Sequence, residues 1–278
     1  MRAASARLGC SVRLAVLASG SSGNALVVEG GGTRVLVDCG VSRRQLEQRL
    51  AMVSLRLADI DAIVITHEHV DHVAGLRAVL HRHRVPVLAS SGTVEALGSH
   101  LSAVTTLSSG RGVTIGEVRL LPVATSHDAR EPIGLVIEHG GCRAGVVTDT
   151  GVATELIAER LVGCHALLIE SNHDVDMLRW GPYPWPLKQR IASRTGHLSN
   201  LQALELIERV AHSGLEVVAG MHLSRENNRP ELAAREIGRP LTGSAVRVVT
   251  AEQDRPVVVE VNGPRSRRGQ LELFAPRA

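Results

Sequence analysis

The segment Ile65-Thr66-His67-Glu68-His69-Val70-Asp71-His72 carries three imidazoles and the Asp71 carboxylate within six residues. It lies where a short apolar run ends and a helix-like stretch begins. On a turn such side chains can point to one centre, and imidazole together with carboxylate suits zinc, manganese or iron. The bland alternative, a solvated histidine-rich loop, leaves clustered histidines at a strand end without a task. The chemistry on offer is that of a bound divalent cation.

The surrounding elements have to present that turn. Val12 to Leu17, Ala25 to Glu29 and Thr33 to Asp38 read as strands separated by the turns Ser19 to Asn24 and Gly30 to Gly32. Ser42 to Ala51 reads as a helix with an N-cap serine. Ala62 to Thr66 is a short buried strand, and Gly75 to His83 reads as the helix after it. Strand, helix and strand follow at Pro86 to Leu88, Thr93 to Ser99 and Thr105 to Leu107. Val113 to Val123, Ile133 to His139 and Cys142 to Thr148 are further strands, the last two joined by a hairpin at Gly140-Gly141. Thr154 to Arg160 and Asn200 to Ser213 are helical, while Ala166 to Glu170 and Glu216 to Met221 are strands. Val246 to Thr250 and Val257 to Val261 are candidate closing strands. This order suits two sheets with helices outside, one domain of two similar halves.

Composition sets the limits. With 278 residues, 44% apolar and 21% charged, the chain can bury a large core. No run approaches the roughly eighteen apolar residues of a membrane span. The arginine-bearing stretch from Met1 to Leu14 lacks the apolar core of a signal peptide, so a cytoplasmic location is expected. Cys10, Cys39, Cys142 and Cys164 form no C-x-x-C pair and read as small apolar fillers. A net charge of +3 does not by itself imply a nucleic-acid partner. The basic residues are nearly all arginine, which suits bidentate phosphate contacts but also fits a plain compositional bias.

His67, His69, Asp71 and His72 meet in full the H-x-H-x-D-H signature of the metallo-β-lactamase superfamily, which the chain resembles. The likeness continues in the family's order through His127 in Thr125-Ser126-His127-Asp128-Ala129, Asp149 in Thr148-Asp149-Thr150-Gly151, and His222 in Gly220-Met221-His222-Leu223-Ser224. Asp38, in Val37-Asp38-Cys39-Gly40, matches the early aspartate that supports the metal loop. The resemblance implies an α/β fold, a four-layer αββα sandwich, in one domain over residues 12–262 with flexible tails at 1–11 and 263–278. It also implies two divalent metal ions, zinc or manganese. His67, His69 and His127 would hold one, and Asp71, His72 and His222 the other, with Asp149 between them. Oxygen-reducing di-iron members place a glutamate where His69 stands, so hydrolysis is implied over redox chemistry.

Longer segments, among them Leu17 to Asn24, Glu170 to Asp174, Gly181 to Trp185, Gly196 to Asn200 and His222 to Asn228, resemble the bacterial YycJ/WalJ family. The likeness covers about residues 13 to 260. It implies a phosphodiesterase, a 5′-to-3′ exonuclease acting on DNA through a dinuclear site and a bridging hydroxide. Asp71 would be catalytic, orienting that hydroxide. His197 resembles the non-ligand histidine of ribonuclease Z and would steady charge or protonate the leaving oxygen, with a helix-capping histidine as the alternative. Glu170 would support the site.

Substrate-binding candidates rest on residue type. The turn containing Ser21, Ser22 and Asn24 offers hydroxyls and backbone N–H groups to phosphate, or is an ordinary hairpin turn. Tyr183, Trp185 and Lys188, the last being the sole lysine, lie in a proline-rich loop expected to be non-helical before Leu187. They either stack on a base and grip phosphate or plug the loop onto the domain or a partner subunit. Arg225 either meets phosphate or pairs on the surface. Other readings are an RNA-processing nuclease, a small-molecule thioester hydrolase, and a metal-stabilised regulatory protein without catalysis. No membrane partner is expected, and the oligomeric state is open, a homodimer included.

Overall fold

The computed structural model describes residues 11–98 and 104–262. In β1 (Ser11–Ala18), Val12, Leu14 and Val16 belong to one apolar cluster and Ala15 and Leu17 to another. β2 (Ala25–Gly30) divides the same way, with Leu26 and Val28 on one side and Ala25 and Val27 on the other. A strand covered on both faces needs a nearly continuous apolar run. That is why these segments show no alternation in the sequence.

β1, β2 and β3 (Thr33–Val37) form an antiparallel meander, and β4 (Ala62–Ile65), β5 (Val87–Ser90) and β6 (Val104–Leu107) extend it in parallel. The second sheet repeats this plan. β7 (Val113–Ile115), β8 (Val118–Ala124), β9 (Ile133–His139) and β10 (Cys142–Val147) are antiparallel. β11 (Ala166–Glu170), β12 (Val217–Met221) and β13 (Arg247–Thr250) follow in parallel. β14 (Val257–Asn262) then crosses back to pair with β1, so that among the described residues each sheet has seven strands.

The two inner faces meet in one core that includes Leu14, Val28, Val64, Leu120, Ile137 and Leu168. α1 (Arg43–Met52), α2 (Val70–Val73), α3 (Leu76–Leu80) and α4 (Ser91–Leu97) follow strands of the first sheet, and α1 and α3 seal its outer face through Leu46, Leu50, Leu76 and Val79. α5 (Glu155–Leu161), α6 (Val175–Trp180), α7 (Trp185–Ile191), α8 (Asn200–Val210) and α9 (Pro230–Gly238) belong to the second half. Of these, α5, α8 and α9 cover its sheet through Ile157, Leu206, Ile207 and Ile237. The result is a four-layer αββα sandwich. Ser199 caps α8 in a reciprocal box with Gln202, and Ser42 does the same for α1 with Gln45. Each fully buried leucine or isoleucine on these helices contributes about 2 kcal/mol.

Several boundaries differ from the sequence reading. Val113 to Val123 is a hairpin, broken at Gly116, whose φ of 53° is left-handed and whose Cβ would lie 2.2 Å from Thr33 Oγ1. Helix α7 starts at Trp185 rather than after Pro186, because proline lacks only an N–H that a first helical turn does not use. Helices α6 and α9 lie in segments to which the sequence reading assigned no element. Ser11, expected in a tail, pairs with Asn262. The remaining tail residues and Ser99 lie outside the described residues. No helix among the described residues is long and apolar enough to cross a membrane.

Burial pushes the thiols of Cys39 and Cys164 up to about 12, with Asp38 adding to the effect at Cys39. At pH 8 roughly one such thiol in ten thousand is thiolate, the reactive form. Iodoacetamide is therefore expected to label both only after unfolding. Peptide mapping that finds either alkylated within minutes in the native protein would contradict this burial.

Candidate metal centre and cleft

β1, β3, β4, β8, β10, β11 and β12 all end on the same side of the sandwich, and the loops leaving these ends carry the candidate residues. Ligands gather at the carboxyl ends of strands because side chains there escape the core without breaking sheet pairing. His67 follows β4, and His69 is the N-cap of α2, which carries Asp71 and His72. His127 follows β8, Asp149 follows β10 and His222 follows β12.

The backbone is turned sharply at these points. Among the described residues four non-glycine residues have positive φ, and three are Asp38 (62°), Asp149 (56°) and His222 (54°). Such conformations cost about 1–3 kcal/mol and persist where the surroundings over-determine them. The loops are also laced together. Asn24 N donates to Asp71 O at 2.8 Å, Cys39 N to His72 O at 2.8 Å, and His222 N to Ser19 Oγ at 2.7 Å. A Cβ on Gly40 would lie 1.7 Å from Asp71 O, so only glycine lets this backbone approach the loop.

Two sets of three, His67, His69, His127 and Asp71, His72, His222, each bring their ligand atoms within 4.8 Å of one another. Asp149 reaches both, at 3.8 Å from His127 Nε2 through Oδ1 and 3.3 Å from His72 Nε2 through Oδ2. Asp71 Oδ2 and Asp149 Oδ1 each lie 3.5 Å from His222 Nε2. His67 Nε2 is buried with no hydrogen-bond partner, as suits a nitrogen reserved for a cation.

The electrostatics also ask for positive charge. Burial opposes ionisation of Asp149, yet His222 and His72 hold its carboxyl well below the usual range. Burial works against a charge on His72, but Asp38 and Asp149 outweigh it and lift it to about 10. His222 is likewise raised despite its burial, chiefly by Asp149. His67, buried and beside His72, is pushed down. These donors fit divalent cations, whose charge would replace those protons.

A supporting layer fixes the rings. Asp38 Oδ2 takes His72 Nδ1 at 2.8 Å, while Thr66 donates to both oxygens of Asp38 from Oγ1 and to Oδ1 from its N–H. Gly196 O accepts from His127 Nδ1 at 3.0 Å. Glu170, fully buried, takes His197 Nδ1 at 2.7 Å on Oε1 and the N–H groups of Thr150 and Leu198 on Oε2. Burial opposes its charge, but His197 holds it at about 2. His197 is raised in turn by Glu170, against its burial. Asp38→Asn should keep the backbone, since asparagine tolerates this φ, but weaken metal affinity about 10–100-fold. Titration against a chromogenic chelator reads this directly, and an unchanged affinity would remove Asp38 from its supporting role.

The centre opens into a cleft of about 250 Å³ lined by Ser21, Tyr183, Arg190 and His197, among others. Of the turn from Ser19 to Asn24, the N–H groups of Ser19, Gly20, Ser22, Gly23 and Asn24 are all engaged within the protein. It is therefore not a free phosphate cradle. Ser21 lines the cleft, Ser22 is exposed, and Asn24 is buried with its amide 3.0 Å from His72 Nε2 and 3.3 Å from Asp71 Oδ2. Arg225 does not line the cleft and pairs with Asp254.

Helix α7 separates the other candidates by its period of 3.6 residues. Leu187, Arg190 and Ile191 face the cleft beside Tyr183, while Trp185, Lys188 and Gln189 face a different cavity. The Lys188 ammonium donates to Arg179 O at 2.9 Å and Gly181 O at 2.7 Å, latching α7 to the end of α6. Sequence reasoning missed Arg190, whose guanidinium holds Asp128 Oδ2 at 2.8 Å. It also gave no role to Asp128, whose Oδ1 lies 3.5 Å from His127 Nε2 and 3.7 Å from His69 Nε2. Helical spacing from Tyr183 onward would have exposed Arg190 had the prolines not argued for a loop.

Comparison with known proteins adds relatives to this geometry. Residues 33–222 match the family described as the beta-lactamase superfamily domain. The chain is 34% identical over 235 residues to "Exodeoxyribonuclease YycJ" of Bacillus anthracis, covering 83% of this chain and 89% of that protein. It is 35% identical over 228 residues to "Exodeoxyribonuclease WalJ" of Streptococcus pneumoniae, covering 80% and 85%. Among solved structures, the metallo-beta-lactamase fold protein YhfI of Bacillus subtilis superposes with a TM-score of 0.70 at 17% identity, covering 91% of this chain and all (100%) of that one.

Proposed function

Since this chain belongs to the metallo-β-lactamase superfamily of metal-dependent hydrolases, and within it to the YycJ/WalJ family, we propose that it hydrolyses DNA phosphodiesters, as a 5′-to-3′ exonuclease. The observation that carries this reading is the pair of three-residue ligand sets, each within 4.8 Å, opening on one cleft.

In this proposal His67, His69 and His127 would hold one divalent cation and Asp71, His72 and His222 a second, and the Asp149 carboxylate, within reach of both sets, would serve them. Zinc and manganese both suit these nitrogen and oxygen donors. Bound there, such ions supply Lewis-acid activation of a phosphoryl oxygen and of the attacking water. The chain's own side chains do the rest. Asp71, partly exposed at the cleft, accepts a hydrogen from the attacking water and orients it. Glu170 occupies Nδ1 of His197, which leaves Nε2 as the nitrogen that delivers a proton to the departing oxygen. Arg190, 62% exposed at the cleft wall, meets a neighbouring phosphate, and Tyr183 packs against the adjoining nucleoside.

The test is digestion of DNA labelled at either end, with manganese or zinc added. Early release of labelled mononucleotide from the 5′-labelled strand, with progressive shortening of the 3′-labelled one, is expected. The opposite pattern reverses the polarity. If duplex and single-stranded DNA, RNA and bis(p-nitrophenyl) phosphate all stay intact, the nuclease reading fails, and preference for a thioester would redirect it.

A further inference from the structure

Behind α7, on the side away from the cleft, lies a cavity of about 490 Å³. Trp185, 64% exposed, lines it together with Val175 and Leu178. Gln189, Gln202 and His173 are among its polar groups, with Arg179, Lys188 and Ser199. We propose that this cavity receives an unstacked nucleobase of the same polynucleotide whose backbone occupies the cleft, which makes it an extension of the nuclease reading above.

Three independent observations support this occupant. The first is continuity. Helix α7 is a wall of both cavities and buries none of its own residues, and Asn172 lines the cleft while the adjacent His173 lines the cavity. A helix is about 10–12 Å across with its side chains, short enough for one strand to pass over.

The second is the aromatic distribution. The chain has only two tryptophans, one tyrosine and one phenylalanine, yet Trp180 and Trp185 are 76% and 64% exposed. Large rings held out of a core are the platform on which single-stranded bases stack, and of the two Trp185 lines the cavity. Lys188, at the cavity wall, uses its ammonium to pin α7 to α6 and so holds the Trp185 helix in place.

The third is the polar chemistry. His173 is only 3% exposed and its Nδ1 has no hydrogen-bond partner. Burial pushes its imidazole down to about 4, so it is neutral and suited to a neutral ring rather than to a phosphate. Gln202 Oε1 already accepts from Ser199 N and Oγ, which leaves its amide hydrogens as donors. Those N–H groups can donate to a base carbonyl such as O4 or O2 of thymine.

The test uses a phosphorothioate-linked thymidine dodecamer, which resists hydrolysis, and a matched oligomer with abasic sugars. Trp180→Phe leaves Trp185 as the only indole, and its fluorescence should be quenched by the base-bearing oligomer but not by the abasic one. Trp185→Leu should weaken Kd for the base-bearing oligomer about tenfold and leave that for the abasic one unchanged. Equal affinity of Trp185→Leu and the parent for the base-bearing oligomer overturns the proposal, as does absence of quenching. So does a Trp185→Leu protein that merely changes from dimer to monomer, since the cavity would then be a subunit contact. Metal-dependent DNA cleavage that persists alongside such a failure leaves the nuclease reading intact. Base-dependent quenching without any cleavage has the reverse meaning.

Discussion

Replacing Asp71 by alanine should lower kcat on DNA and on bis(p-nitrophenyl) phosphate by about 10³-fold while lowering the melting temperature by less than the loss of both cations does. The separation of the two effects follows from where the residue sits. Its side chain is 24% exposed at the cleft, and its carboxylate contacts His222, His72 and Asn24 from that edge. Its structural duty falls to the backbone, whose carbonyl accepts the N–H of Asn24 at 2.8 Å, and alanine retains that bond. Steady-state kinetics beside a thermal melt decide the matter. Turnover within tenfold of the parent would show that Asp71 neither binds a cation nor orients the nucleophile.

Stripping divalent ions with a chelator should abolish hydrolysis and lower the melting temperature by on the order of 10 °C. A ligand present at a thousand times its Kd stabilises the folded state by about 4 kcal/mol, and a domain of this size shifts by about 2–4 °C per kcal/mol. Asp38, Asp149, Glu170, His67, His72 and His222 are all buried, so their charges have little water to turn to. The ions should also exchange for protons. His72 is lifted to about 10, so it is protonated at pH 7 until a cation arrives and must give up a proton to ligate it; His222 is shifted in the same direction, chiefly by Asp149. Calorimetry in buffers of different ionisation enthalpy should therefore show net proton release, and binding should weaken as pH falls. Full activity at far below one metal per chain, by elemental analysis, would end the two-cation proposal.

The candidate ligands were legible in two ways: the run from His67 to His72 stands out by residue type, whereas His127, Asp149 and His222 are weak singly and were read from the order they share with the family they resemble. Histidines and aspartates stand at the ends of apolar runs, and strand ends are where a sheet exposes chemistry. The two-sheet plan was legible for a related reason, since runs apolar on both faces, such as Leu14 to Leu17 and Leu167 to Ile169, have to be covered twice. Helix α8 announced itself by its serine cap and apolar stripe.

What lay between these anchors was not legible, and the reason is physical. A local sequence fixes which residues share a strand or a helix face, but a loop's donors are committed only when distant segments pack. Nothing in Ser19 to Asn24 tells that Gln253 and Asp71 will take its N–H groups. Nothing in Pro184 to Ile191 tells that Arg190 and not Lys188 turns to the cleft, because that depends on α7 resting with one face toward His127 and the other toward His173. The sequence by itself determined the chemical elements of the centre and the layers that carry it. The tertiary packing alone decided the shape of the cleft and which polar groups remain free within it, since hydrogen bonds and burial between remote segments are settled only when the chain closes on itself.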